Sequence, residues 1–148
     1  MSYDLKSIAS TRRNDALAML VVGPGKIGKT TFASRSENPI GILTEDGSGH
    51  IDTNAFPMAR KMNDVYDAVQ CLHEQKHNYK TLFVDSLDWL EPLIWAHVCE
   101  RNNWKDIEAP GYGRGYAIAA DEWRLLLKAL DSLRHEKNMG VILICHDE

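Results

Sequence analysis

The chain has 148 residues, of which 44% are hydrophobic and 26% charged, and a formal net charge of -4. That length supports one domain with a real core rather than two, and no apolar run approaches the ~20 residues of a membrane span. The acidic balance gives no global reason to expect nucleic acid, so such binding must come from a local patch.

Residues 1–15 read as a peripheral segment of a single domain covering 1–148, with Arg12-Arg13 a solvated surface pair. Ala16-Leu17-Ala18-Met19-Leu20-Val21-Val22 is a short apolar run that reads as a buried strand. It leads into Gly23-Pro24-Gly25-Lys26-Ile27-Gly28-Lys29-Thr30. A glycine, four free positions and then Gly-Lys-Thr make a complete phosphate-binding loop. Thr30-Thr31-Phe32-Ala33-Ser34 behind it can open a helix, giving the strand, turn and helix start the chemistry requires.

The glycines let successive N–H groups point inward at a phosphate chain, and the following helix adds its positive end. Lys29 would set its ammonium on the β and γ phosphates, and the Thr30 hydroxyl would complete a Mg²⁺ shell. The segment from Gly23 to Thr31 therefore predicts binding of a nucleoside triphosphate.

Pro39-Ile40-Gly41-Ile42-Leu43-Thr44-Glu45 reads as a second strand, ending in the polar turn Asp46-Gly47-Ser48-Gly49. Val65, Ala68, Val69 and Leu72 fall on one helical face, with Asn63 as N-cap. Thr81-Leu82-Phe83-Val84 is a strand delivering Asp85. A helix begins near Asp88, where Asp88 and Glu91 have capping-box spacing and Pro92 falls in the first turn. From Asn102 to Gly115 the chain is irregular. A long helix follows with Tyr116, Ala120, Trp123, Leu127, Leu130 and Leu133 along one side. Gly140 interrupts it, and Val141-Ile142-Leu143-Ile144-Cys145 is a fully apolar last strand.

Non-alternating strands separated by helices imply an α/β fold, a mostly parallel sheet covered on both faces. Its ligand belongs beyond the carboxyl ends of the strands, which places the loop, Glu45, Asp85 and His146 along one edge. Asp85 after an apolar strand has the Walker B form, a carboxylate that holds magnesium directly or through water; the competing reading is a helix cap. Glu45 is the candidate that orients or deprotonates the attacking water, against a solvated turn acid. Cys71, Cys99 and Cys145 are odd in number and widely spaced, as buried thiols of a reducing cytosol rather than a disulfide or zinc framework.

Thr44-Glu45-Asp46-Gly47, Val84-Asp85-Ser86-Leu87-Asp88-Trp89-Leu90, Gly111-Tyr112-Gly113-Arg114-Gly115-Tyr116 and Ile144-Cys145-His146 together resemble the RecA recombinase core, and in particular the single-domain RecA-like ATPases of phages and prophages. The resemblance covers most of the chain after residue 17. It implies a three-layer P-loop NTPase that hydrolyses ATP with Mg²⁺, and Glu45 as the acid that activates water. His146 would be the sensor of the γ-phosphate, where the family usually has Gln. It also implies a role in DNA recombination or annealing in a bacterial host cytoplasm, copies sharing active sites, and further strands beyond the sensor position. On that pattern this sequence reads as C-terminally truncated.

Trp104, Lys105, Tyr112, Arg114 and Tyr116 mix cations, rings and glycine neighbours, the set that grips a single DNA strand. A subunit interface or a plain linker reads equally well there, since Asp106 and Glu108 dilute the charge. His73-Glu74-Gln75-Lys76-His77 matches the zinc-protease pattern H-E-x-x-H, but it lies at a helix end with a strand close behind and reads as a polar terminus. Two rivals to the ATPase share the loop. A small-molecule kinase would want a paired arginine lid, which is not evident; a nucleotide switch would bind without turnover.

Overall fold

A computed structural model describes residues 2–12, 14–47 and 49–147. Arg13 of the basic pair, Ser48 of the polar turn and the terminal Glu148 lie outside the described residues. After a 3₁₀ turn at Leu5–Ser7 come β1 (Ala18–Gly23), α1 (Lys29–Ser34), β2 (Pro39–Leu43), β3 (Asn54–Ala55) and α2 (Met62–Glu74). Then follow β4 (Thr81–Asp85), α3 (Leu87–Asn102), α4 (Arg114–Lys137) and β5 (Gly140–His146). The sheet order is β1-β5-β4-β2-β3, and every pairing is parallel. The fold is thus the three-layer α/β architecture of P-loop NTPases.

The inner apolar strands bury both faces, as non-alternating composition demands. On one face Ile40, Ile42, Leu82, Val84 and Val141 meet Val65, Val69 and Leu72 of α2, Ile94 and Val98 of α3, and Leu126, Leu130 and Leu133 of α4. On the other, Phe83, Ile142 and Ile144 pack on Ala33 of α1. The Phe83 ring reaches over Gly41 of β2, where a Cβ would stand 2.5 Å from it. Only glycine leaves room for that ring. Because the strands are parallel, Gly23, Leu43, Asp85 and His146 all end at the same edge of the sheet.

Several expectations need correction. Ala16–Val22 is not fully buried: β1 is an edge strand. Met19 and Val21 pack on the α1 side, while Leu20 and Val22 are 58% and 54% exposed. A fifth strand, β3, adds to β2; at two residues it has no periodicity to read. Helix α2 starts at Met62, with Lys61 rather than Asn63 as N-cap. Asp64 caps it from within, accepting from the N–H groups of Arg60 (2.8 Å) and Lys61 (3.1 Å).

In α3 the N-cap is Ser86, not Asp88. Pro92 is therefore its sixth residue, past the first turn, and the Asp88 carbonyl lacks the donor that a non-proline would supply. The buried stripe of α4 is Gly115, Ala119, Glu122, Leu126, Leu130 and Leu133, rotated by about one residue from the expected set, so Tyr116 and Leu127 are exposed. The cause is polar and small residues on the inner face: Glu122 is buried, and a Cβ on Gly115 would stand 1.9 Å from the Ile107 carbonyl. The three cysteines are free thiols and only partly buried.

Candidate nucleotide site at the carboxyl edge

The loop between β1 and α1 wraps a cavity of about 370 Å³, within the size range of small-molecule sites. Gly25, Lys26, Gly28, Lys29, Thr30 and Thr31 line it on one side, and Glu45, Asp85 and His146 on the other. Lys26 (φ 64°) and Gly28 (φ 105°) are both in the left-handed region, the alternation that turns successive amides toward one point. Gly28 meets this demand without cost, and a Cβ there would be strained whatever the space. Helix α1 has only six residues, so the loop amides and Lys29 carry most of the positive field. Gly23 and Pro24 contribute through their carbonyls, while Ile27 turns outward and is 67% exposed.

Lys29 is buried. Its Nζ donates to the Gly23 carbonyl at 2.5 Å and the Pro24 carbonyl at 2.7 Å, which fixes the ammonium at the mouth of the loop. It also lies 3.3 Å from His146 Nδ1. An ammonium can only donate, so Nδ1 accepts and the ring proton sits on Nε2. Nε2 then donates to Glu45 Oε1 at 3.0 Å. His146 thus bridges Lys29 and Glu45.

The Thr30 hydroxyl donates to Asp85 Oδ2 at 2.6 Å. Burial raises the Asp85 carboxyl above the usual range; the Thr30 hydrogen bond opposes this, and the neighbouring Glu45 charge adds to it. Two carboxylates this close favour a cation between them.

Two further residues organise this edge, neither given a site role in the sequence reading. Thr44 Oγ1 accepts from the Ser86 N–H at 2.9 Å and donates to the Ser86 carbonyl at 2.7 Å. This reciprocal pair ties the residue before Glu45 to the residue after Asp85. Asp88 Oδ2 accepts the His146 N–H at 2.8 Å, pinning the end of β5 to the start of α3. Thr44 and Asp88 lie within Thr44-Glu45-Asp46-Gly47 and Val84-Asp85-Ser86-Leu87-Asp88-Trp89-Leu90, but a threonine at a strand end and an acid in a first turn carry no distinctive signal. Ser86 Oγ is buried without a hydrogen-bond partner among the described residues.

A family profile described as an AAA domain matches residues 15–148. The chain belongs to the AAA domain family. No curated protein matches it. Membership makes this a nucleotide-binding domain of the P-loop NTPase type, and its loop, Asp85 and His146 converge on one cavity. No helix of the described residues is long and apolar enough to cross a membrane.

The residues expected to grip DNA do not share one environment in the AAA domain. Trp104 packs against the core. Tyr116 donates its hydroxyl to Glu108 and stands edge-on to Trp95 at 5.4 Å. That hydrogen bond, with the charges of Asp106 and Glu91 nearby, raises its phenol above the ordinary value. Arg114 donates to the Pro110 carbonyl at 2.8 Å. Lys105 is exposed, and Tyr112 is fully exposed with φ 52°.

The H-E-x-x-H segment does not form a ligand pair. Helix α2 stops at Glu74, His73 lies 3.6 Å from Glu136, and His77 Nε2 faces the Leu72 carbonyl at 2.9 Å.

Proposed function

We propose that residues 1–148 act as one RecA-like ATPase domain, with residues 1–15 peripheral, that binds and hydrolyses ATP with Mg²⁺. The observation that carries this reading is the 2.6 Å contact between the Thr30 hydroxyl and the Asp85 carboxylate. It brings the last loop residue and the Walker B acid, 55 positions apart, to one point beside Lys29. A hydroxyl and a carboxylate oxygen are the hard donors that Mg²⁺ takes alongside water and phosphate oxygens, so the residues fit that ion. Bound there, Mg²⁺ would neutralise charge on the phosphates.

The loop amides from Gly23 to Thr31 and the Lys29 ammonium bind and orient the polyphosphate. Glu45 holds and deprotonates the attacking water. His146, hydrogen-bonded to Glu45 and facing Lys29, registers whether a γ-phosphate has entered between them. Asp88, through the His146 backbone, passes that state to α3.

We place this ATPase in phage-type DNA recombination or annealing in the host cytoplasm, acting on single-stranded DNA as an assembly of copies with shared sites. Lys105, Tyr112 and Arg114 supply the available charge and stacking surface for the strand; Trp104 and Tyr116 serve chiefly to hold that segment in place. Turnover assays with ATP alone, with added single-stranded DNA, and with nucleoside acceptors test the reading. DNA-stimulated phosphate release is expected. A phosphorylated acceptor would replace this reading with a kinase, and tight binding without product with a nucleotide switch.

A further inference from the structure

Glu45, Asp85 and His146 each aim one ligand atom into the cavity, and these three atoms all lie within 4.8 Å of one another. Mg²⁺ binding at Thr30 and Asp85 needs no nitrogen, since that ion is satisfied by oxygen donors and water. An imidazole beside two carboxylates is instead the mixed set of borderline metals, Zn²⁺ above all, which takes nitrogen and carboxylate oxygen at about 2.0–2.2 Å.

The surroundings favour such an ion. Asp85 is only 6% exposed, so its carboxylate is poorly served by solvent. Glu45 and Asp85 bring two negative charges to the cavity, where the buried ammonium of Lys29 is already held by two carbonyls and Lys26, the other lysine of the lining, is exposed. The His146 backbone is anchored by Asp88, and the chain before Glu45 by Thr44. Both outer ligands are therefore placed by contacts that a bound ion would not disturb. This is the preorganisation that a three-ligand site with an open fourth position requires.

We propose that Glu45, Asp85 and His146 form a zinc site that fills in the absence of nucleotide. The ion would take Nε2 with the ring proton moved to Nδ1, so that a neutral imidazole ligates, and the Lys29 ammonium would keep its two carbonyl partners in place of its contact with Nδ1. Because the ion shares Asp85 with the Mg²⁺ position, the two ions would exclude one another. The inference rests on the placement of three side chains and not on ATP hydrolysis.

The test titrates Co²⁺, a visible-absorbing stand-in, into the nucleotide-free full chain and then displaces it with Zn²⁺. One ion per chain is expected, with a tetrahedral-type absorption band. His146→Gln, which keeps the backbone N–H that Asp88 holds, should weaken binding about tenfold or more. Glu45→Gln should also weaken it, while Lys29→Ala, which removes a competing positive charge, should preserve or tighten it. Circular dichroism melts establish that each variant is folded. Unchanged Co²⁺ affinity in folded His146→Gln would overturn the site, as would loss of binding only in His73→Gln, which assigns the ion to the end of α2. ATP titration of the same wild-type sample reads the nucleotide proposal separately, so failure of one leaves the other standing.

Discussion

Among the described residues, two polar clusters are each built around a buried carboxylate with a histidine beside it, and they differ in what faces them. At the carboxyl edge Asp85, Glu45, His146 and Lys29 line an open cavity. Between the helices, Glu122 is only 2% exposed and is enclosed by protein. It accepts from the Tyr66 hydroxyl at 2.6 Å and from Arg101 at 3.2 Å, with His97 at 3.4 Å. Burial, followed by the Glu122 hydrogen bond, pushes the Tyr66 hydroxyl well above its usual range. Tyr66 lies on α2, His97 and Arg101 on α3, and Glu122 on α4, so one carboxylate joins three helices. A buried charge whose partners are all protein fastens a fold; a buried charge that faces a cavity is available to a ligand.

The largest effect that would sharpen this contrast is expected from Glu45→Gln. Removing the base should lower ATP turnover about 10²- to 10⁴-fold while nucleotide affinity and melting temperature stay near wild type. Steady-state phosphate release beside equilibrium binding checks it, and full turnover would remove Glu45 from the chemistry. Glu122→Ala should show the opposite profile. It strands the Tyr66 hydroxyl and the Arg101 guanidinium; because Arg101 is half exposed, the expected loss is about 2–3 kcal/mol. Denaturant unfolding should report that loss, and nucleotide affinity in the folded fraction should hold.

A smaller cost is expected at Gly115, where α4 presses on the chain before it. Gly115→Ala drives a methyl into the Ile107 carbonyl and should destabilise by about 2 kcal/mol, again without loss of nucleotide binding. The smallest effect belongs to Asp64. The Arg60 N–H, the largest cause, holds its carboxyl below the ordinary 3.8. A depressed carboxyl contributes stability above its unfolded value and loses it as the pH falls through the folded one. Acid melts should show this slope, and Asp64→Asn should flatten it below pH 4.

The contrast also explains what the sequence made legible. The loop, Asp85 and the four long strands were readable because each depends on local pattern: a fixed glycine spacing, or an unbroken apolar run closed by an acid. Glu122 was hidden because its burial depends on partners 21 and 56 positions away, and a glutamate in a helix reads as solvated. The same residue rotated the inferred face of α4. Asp88 was misread for a related reason: its spacing to Glu91 suits a cap, yet its carboxylate turns to the end of β5. The edge position of β1 escaped because an apolar run reports what could be buried and not which neighbours cover it. Thr44 went unassigned because its bonds to Ser86 exist only once β2 and β4 lie side by side.

Equilibrium titration of Mg–ATP into the wild-type chain and Lys29→Ala, side by side, tests the central claim most directly. Saturable binding of one nucleotide per wild-type chain is expected, weakened about a hundredfold or more when the ammonium at the mouth of the loop is lost. Equal affinity in the two proteins, or no binding by either, would contradict it.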